Sequence, residues 1–317
     1  MLTPLMSVAE LVLLLLLFPS LLLYVLYLLL LVKRRKQAPF NSTFFRLTFV
    51  LGVADVLQLG LTYVYFKPSL WGVLSRFYYR HHGNTIATCA QVAQELLHHV
   101  QFFALAAIAV NRFVAVAMPS RAARMFNSTT SKAVLFVALP SAAVLLVAPT
   151  ANYGMVYLYD NSTGMGLALF SNVYVQVRYF FAISLFWLGL GVASAALYAA
   201  SFASLLIRRL DGESSAVAAA SERKMLFCGL SLLLVQLTYL IVANWNIFIP
   251  TIDADFLTLW SIIFDVFCWC NPYLILLTSS VTRGAFKETY LRGRAQLKAS
   301  SQKVQTKTRN IVVKTIT

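Results

Sequence analysis

Charged residues are scarce in this chain, and acidic ones are the scarcest. Only 12% of the 317 residues are Asp, Glu, Lys or Arg, whereas 60% are hydrophobic and 14% are aromatic. A soluble domain of this length needs far more polar surface. The composition and the repeated long apolar runs therefore indicate a membrane protein with several spanning helices.

Cysteine is also rare, and the sequence lacks the patterns of a catalytic or metal site. The four cysteines have neither the spacing of metal ligands nor that of a disulfide framework, so we interpret them as small buried hydrophobic residues. His81-His82 and His98-His99 lack a third ligand, and no nucleophile stands beside a base in the spans. We therefore expect no enzymatic activity, no metal and no cofactor.

Seven segments are long and apolar enough to span a bilayer, which needs about 20 residues. They are 9–32, 44–66, 91–118, 132–153, 175–207, 224–249 and 256–280. The first lacks the basic start of a signal peptide and ends instead in a basic run, 33–36, so we predict that its start lies outside. The sequence thus predicts an all-α membrane protein, a seven-transmembrane helix bundle within residues 1–290, with the N-terminus outside and the C-terminus inside.

The distribution of basic residues supports this orientation. With the N-terminus outside, all but four of the 26 lysines and arginines fall on the inside, and the four exceptions are Lys67, Arg76, Arg80 and Arg178. Such a bias follows the positive-inside rule. It also accounts for the net charge of +15 through topology and anionic lipid, so we expect the bilayer and no nucleic acid as the partner.

The segments after the last span are basic, and one glycosylation site is accessible. Residues 283–291 carry an apolar stripe and predict a short amphipathic helix on the inner leaflet, and the tail 292–317 is expected to be disordered. Among three glycosylation sequons, only that of Asn161 falls in a predicted outer loop.

The third span carries polar residues in steps of three or four, which place them on one helix face. From the outer to the inner end this face holds Gln91, Gln94, His98, Gln101, Leu105, Ile108 and Arg112. A lipid-facing stripe would not be polar, so we expect it to point into the bundle. Glu95 and His99 lie on a neighbouring face, where their spacing allows them to pair.

The sixth span has a shorter polar stripe, with Gln236, Tyr239 and Asn246. Single polar residues in spans often do no more than hold helices together through hydrogen bonds. Taken together, the two stripes favour a ligand pocket open to the outside, formed by Gln91, Gln94, His98, Gln101, Gln236, Tyr239 and Asn246.

Two acids lie near the predicted midplane, Asp55 in the second span and Asp265 in the seventh. A carboxylate at that depth needs a partner, a proton or a cation. A protonation or cation site shared by the two spans is one interpretation, and a static polar cluster with Asn271 is the other. Pro272 removes a backbone donor from the seventh span and should kink it.

These segments carry a family resemblance. "NRF" closing the third span, "NPY" late in the seventh and the amphipathic basic segment resemble G-protein-coupled receptors. "HHVQFFALAAIAVNRFVAVAMP", "SERKMLFCGLSLLLVQL" and "NPYLILLTSSVTR" resemble, more narrowly, the nematode serpentine chemoreceptors of class gamma and the related class V. The resemblance covers about residues 9–290. It implies a chemosensory receptor in the plasma membrane of sensory neurons, in their cilia, with an external small molecule as ligand and a heterotrimeric G protein as partner.

The resemblance also implies an activation switch made of Asn111, Arg112, Asp55, Asp265, Asn271 and Pro272. Arg112 matches the arginine that restrains the inner helix ends of the receptors and meets the G protein when released. Asn111 replaces the usual acid and cannot tether that arginine by an ion pair, so we expect a weaker restraint or one from elsewhere, such as Glu222. Leu276 stands where the family has a tyrosine, and no loop cysteine is available to bond Cys89.

One alternative remains from a different functional class. The ligand-gated cation channels of the insect odorant receptor type also have seven spans, but their N-terminus lies inside, against the distribution of basic residues seen here. A transporter is not favoured, because the sequence has no internal repeat and no matching pair of broken spans.

Overall fold

A computed structural model describes residues 4–71, 85–127, 139–153, 155–159, 166–210, 216–243 and 254–292, with single residues 77, 80, 129, 133 and 137 between them. The helices are α1 (Pro4–Arg34), α2 (Thr43–Leu61), α3 (Thr85–Ala117), α4 (Pro119–Asn127), α5 (Leu139–Tyr153), α6 (Val173–Leu210), α7 (Ala216–Ala243), α8 (Ala254–Thr278) and α9 (Ser280–Phe286). Two antiparallel strands, β1 (Met155–Tyr159) and β2 (Gly166–Phe170), form a hairpin with Met155 opposite Phe170.

Two helices continue past their regular α-helical part. After α2 the chain forms a π-helical turn, Thr62–Phe66, and then a last helical turn, Lys67–Leu70. After α9 it forms a second π-helical turn, Lys287–Arg292. The first extension keeps Lys67 inside the bundle rather than in a loop.

The fold is the predicted all-α membrane bundle. Within the described residues, α1, α2, α3, α6, α7 and α8 are long and apolar enough to cross a bilayer. The fourth predicted span, 132–153, is described without interruption only from Leu139, as the 15-residue helix α5. The hairpin was not predicted, because its two short strands lie in what the sequence indicated only as an outer loop.

Several span boundaries differ from the predicted ones. Helix α3 begins six residues before the predicted start at 91, and α2 remains helical four residues beyond 66. The predicted loop 208–223 is mostly helical, since α6 ends at Leu210 and α7 begins at Ala216. Helix ends outside the bilayer can carry charges, so hydropathy alone places such boundaries too early or too late.

Helix α3 lies in the middle of the bundle. It packs against α2, α5, α6 and α7, while α1 closes the ring by contacting both α2 and α8. Helix α8 also packs against α7 and α2. Side chains on one face of α3 are therefore surrounded by other helices along its length.

The two ends of the bundle differ in chemistry. At one end, which we call the basic end, Arg34 binds Glu288 after α9 at 3.0 Å and Arg208 donates to the Val116 carbonyl at 3.1 Å. At the opposite end, the hairpin end, β1 contacts α3, and β2 contacts α6 and the turn Lys67–Leu70. Asn172 begins α6 at this end by accepting hydrogen bonds from the Tyr174 and Val175 amides.

Helices α6 and α7 pack closely at Gly229. A methyl group added there would overlap the hydroxyl of buried Tyr198 and lie 2.7 Å from two carbons of its ring. We expect Gly229→Ala to destabilise the detergent-solubilised protein by about 1–3 kcal/mol, the usual cost of overpacking a core. Gly189→Ala is the matched control on α6, because a methyl group there meets nothing within 4 Å. Equal melting temperatures for the two variants would contradict the close packing.

Candidate functional site

The polar stripe of α3 points into the bundle. Six of its seven side chains are buried, and Gln91 is half-buried: the buried ones are Gln94, His98, Gln101, Leu105, Ile108 and Arg112. Its outer part faces the hairpin end and its last residue faces the basic end. The stripe thus connects the two ends of the molecule through one rigid helix.

His98 lies in a cluster of aromatic rings from three helices. Its imidazole is 5.3 Å from the Phe102 ring, 4.9 Å from that of Tyr239 on α7 and 5.5 Å from that of Phe264 on α8. We call these four residues, with Phe267, the aromatic cluster. Among the described residues, His98 Nε2 and Gln94 Oε1 have no hydrogen-bond partner. Two buried polar atoms beside an aromatic surface are what a small ligand with both apolar and polar groups would bind.

The sixth-span stripe falls on α7 beside this cluster. Gln236 and Tyr239 are both buried, with 2% and 4% of their surface exposed. Asn246 lies outside the described residues, as does Asn161. Tyr239 packs its ring on Phe267 at 5.3 Å, so α7 and α8 share the aromatic surface that α3 presents.

Glu95 and His99, whose spacing allows them to pair, have other partners in the structure. Gln91 Nε2 donates to the Glu95 carboxylate at 3.0 Å, and His99 Nε2 lies 3.4 Å from the Tyr179 hydroxyl on α6. The i, i+4 spacing permitted the pair, but each side chain found a partner elsewhere: one turn earlier on α3 or on the neighbouring helix.

Asp55 accepts hydrogen bonds from two neutral side chains, one on α1 and one on α3. Gln101 Nε2 on α3 donates to Asp55 Oδ1 at 2.7 Å, and the Tyr24 hydroxyl on α1 donates to Asp55 Oδ2. Asn271 Nδ2 on α8 in turn donates to the Tyr24 hydroxyl oxygen at 3.1 Å. Through these bonds the carboxyl group of Asp55 links α1, α2, α3 and α8 at one level of the bundle.

Asp265 belongs to a different cluster, closer to the hairpin end. Lys67 Nζ lies 2.6 Å from Asp265 Oδ2 and 2.8 Å from Glu10 Oε2, and the Tyr63 hydroxyl donates to Asp265 Oδ2 at 2.8 Å. The ammonium also lies 4.7 Å from the Tyr63 ring centroid. We call Lys67, Glu10 and Asp265 the ion triad. One ammonium thus joins a carboxylate of α1 to a carboxylate of α8.

A site shared by the two acids was one of the two interpretations of the sequence, and the contacts of Asp55 and Asp265 in the structure are separate. Each carboxylate has its own donors. Asn271 is linked through the Tyr24 hydroxyl to Asp55, and not to Asp265. Pro272 lies inside α8, directly after Asn271 and on its side towards the basic end. Both Asp265 and Asn271 are at most 1% exposed.

Arg112 rests on an aromatic ring at the basic end. Its guanidinium carbon is 4.2 Å from the ring centroid of Phe44 at the start of α2, and its Nη1 lies 3.5 Å from Met225 Sδ on α7. Both Arg112 and the neighbouring Asn111 are 6% exposed. A cation over a ring is attracted electrostatically by the ring face. The side chain of Glu222 lies outside the described residues.

Comparison with known proteins identifies the family of this chain. Residues 13–290 match the family described as serpentine type 7TM GPCR chemoreceptor Srv. The chain belongs to this family. It is also 24% identical over 257 residues to "Serpentine receptor class V-1" from Caenorhabditis elegans, a match that covers 80% of each chain. The resemblance to serpentine chemoreceptors is thus confirmed, with class V as the matching class.

The family accounts for the architecture described above. This chemoreceptor is a multi-pass membrane protein, and its family consists of receptors rather than enzymes. Within the described part of the receptor, the Asp55 contacts, the ion triad, the aromatic cluster and Arg112 lie on helices of this bundle.

The sequence alone did not identify Lys67, Glu10, Tyr24 or Phe44 as functional candidates. Lys67 was assigned to an outer loop, although it directly follows an apolar run, and the helix simply continues through it. Glu10 is the one acid between Met1 and Ala54, which was an available signal. Nothing in the sequence indicates which ring lies under Arg112, because that contact depends on how α2 and α3 pack.

The segment after α8 contacts the C-terminal part of α1. The Tyr290 hydroxyl donates to the Leu26 carbonyl at 2.8 Å, and burial raises the pKa of Tyr290. Phe286 and Tyr290 pack ring against ring at 4.9 Å, as their i, i+4 spacing allows. The hydrogen bond from Tyr290 to Leu26 and the Arg34–Glu288 ion pair hold the π-helical turn after α9 against α1 at the basic end.

Proposed function

We propose that this receptor binds an external small molecule between α3, α7 and α8 and transmits the event to a heterotrimeric G protein at the basic end. The hairpin end and the N-terminus lie outside, and the basic end is cytoplasmic. The site of action is the plasma membrane of sensory neurons, in their cilia, as for chemosensory receptors in general. The family supports the receptor class, and the distribution of basic residues supports the orientation.

One observation carries this proposal more than any other. The buried stripe of α3 runs from two unpartnered polar atoms, on Gln94 and on His98 of the aromatic cluster, to Arg112 at the basic end. A ligand can shift a conformational equilibrium only if it binds one state more tightly than the other. A helix that faces the ligand at one end and carries Arg112 at the other supplies a direct physical link.

The orientation is tested by placing a short epitope tag at the N-terminus of one version of the protein and at the C-terminus of another. We expect the N-terminal tag to bind antibody on intact cells and the C-terminal tag to bind only after permeabilisation. An N-terminus that becomes accessible only after permeabilisation would reject the proposed orientation and favour the channel type with an internal N-terminus.

Substitutions on α3 test the ligand pocket. We expect His98→Ala to raise the half-maximal ligand concentration by about tenfold or more, since one lost buried hydrogen bond costs about 1–2 kcal/mol. Glu95→Gln is the control, because Glu95 bonds within its own helix to Gln91, outside the aromatic cluster. The measurement is a dose–response curve with a second-messenger reporter. Equal shifts for both variants would exclude the stripe as the pocket.

Phe44 is proposed to contribute to holding Arg112 in the resting state through the contact of its ring with the guanidinium. A desolvated cation–π contact contributes about 2 kcal/mol, so its loss should favour the active state by roughly 10- to 30-fold. We therefore expect Phe44→Leu to raise basal second-messenger levels without ligand. Phe44→Tyr keeps the ring and should leave the basal level near that of the wild type. Unchanged basal signalling in Phe44→Leu would show that the restraint lies elsewhere.

A further inference from the structure

A cleft of about 400 Å³ opens at the basic end, where α1 ends and α2 begins. Its charged lining consists of Arg35, Lys36 and Arg46. Its apolar lining consists of Leu31, Val32, Phe40, Phe45 and Phe49. Leu31, Phe40 and Phe45 are buried, while Arg35 and Lys36 are exposed, so the cleft combines an apolar wall with a cationic rim.

The cations of this rim have no acidic counterpart. No Asp or Glu occurs in the sequence between Glu10 and Asp55. Among the described residues, none of the three cations forms an ion pair, and the nearby acid Glu288 pairs with Arg34 instead. The local field is therefore positive, and the complementary ligand is an anion.

The position and shape of the cleft indicate which anion. It lies at the end of two spanning helices, where bilayer and water meet, and the side chain of Val32 is exposed beside it. The rings of Phe40 and Phe45 pack at 4.8 Å to form a preformed apolar wall. A free phosphate would use only the rim, whereas a phospholipid with a negatively charged headgroup would use the rim and the wall together.

We propose that this cleft is a binding site for an anionic phospholipid. The headgroup phosphate lies among Arg35, Lys36 and Arg46, and an acyl chain runs along Val32 and Phe49 towards the bilayer. The site is distinct from the ligand pocket in the bundle. Only the leaflet that supplies the lipid depends on the proposed orientation of the receptor, since phosphatidylserine is concentrated in the cytoplasmic leaflet.

The test uses the full chain purified in detergent, with short-chain phosphatidylserine, short-chain phosphatidylcholine and inorganic phosphate as separate additions. Thermal stabilisation is measured for the wild type, for the cleft variant Arg35→Gln/Lys36→Gln/Arg46→Gln and for a control variant, Arg121→Gln/Arg223→Gln/Lys224→Gln. The control removes the same charge from exposed positions elsewhere at the basic end. We expect phosphatidylserine to stabilise the wild type at about tenfold lower concentration than phosphatidylcholine, and the cleft variant alone to lose this preference.

Three results would overturn the proposal. An equal loss of preference in both triple variants would mean a general surface attraction, and no preference in the wild type would mean no anionic site. Stabilisation by inorganic phosphate alone would mean a phosphate site. If the cleft variant fails to fold, the wild type can be crosslinked to a photoactivatable phosphatidylserine that carries the reactive group in its acyl chain. Its adducts on the wild type should map to residues 31–49, and adducts confined to other segments would contradict the site.

Discussion

Replacing Lys67 by methionine is expected to destabilise the receptor by about 3–5 kcal/mol, because removal of one partner leaves buried charge uncompensated. Lys67 is fully buried, and the carboxylates of Asp265 and Glu10 lie within 3 Å of its ammonium. Two carboxylates would then face each other in the bundle without a cation. The apparent melting temperature of the purified protein and its level at the cell surface should both fall.

The control for this result is Lys33→Met, which removes an exposed lysine at the end of α1. It should leave the melting temperature nearly unchanged. Removing one of the two acids together with the lysine, as in Lys67→Met/Asp265→Asn, should restore part of the lost stability. Equal melting temperatures for Lys67→Met and Lys33→Met would show that the ion triad does not hold α1, α2 and α8 together.

Arg112→Ala is expected to abolish ligand-dependent G-protein signalling while the receptor still reaches the cell surface. The guanidinium ends the buried stripe of α3 and rests on Phe44, and its contact on α7 is the thioether of Met225. Arg112 lies at the end of the bundle, whereas Lys67 joins two buried carboxylates, so we expect the loss of Arg112 to cost less stability than the loss of Lys67. The second-messenger response should fall to that of cells lacking the receptor.

Surface labelling must accompany this measurement, so that lost signalling is not mistaken for lost expression. Arg121→Ala is the matched control, since Arg121 is an exposed arginine on α4 at the same end of the bundle. It should signal normally. A normal response from Arg112→Ala would show that Arg112 is not needed for signalling.

The sequence predicted which face of α3 is buried. The step of three or four residues that relates Gln94, His98 and Arg112 depends only on helix geometry, and that face is the buried one. The same holds for the burial of Asp55 and Asp265, because polar residues inside a span face the protein interior.

Contacts between helices could not be read in the same way. The partner of Lys67 is Asp265, 198 residues away, and the ring under Arg112 comes from another helix. Glu95 and His99 had the correct spacing but bind other partners. Hydropathy placed the end of α2 too early, because a buried lysine paired with carboxylates has the same hydropathy as one in a loop.

The ion triad and the hydrogen bonds around Asp55 lie at different depths of the bundle and involve some of the same helices. The ion triad joins α1, α2 and α8, the network of Asp55 joins the same three helices to α3, and α3 then carries Arg112. A ligand in the aromatic cluster would contact α3, α7 and α8 between these levels. We propose that the response to a ligand passes along these helices to a G protein and opens no pore.

The most direct test is a patch-clamp and second-messenger recording from cells that express the receptor and are exposed to mixtures of small odorants. The account predicts a second-messenger response in the wild type that disappears when a GDP analogue in the pipette blocks heterotrimeric G proteins, and that is absent in Arg112→Ala. A ligand-evoked cation current that persists with the G proteins blocked and in Arg112→Ala would contradict it.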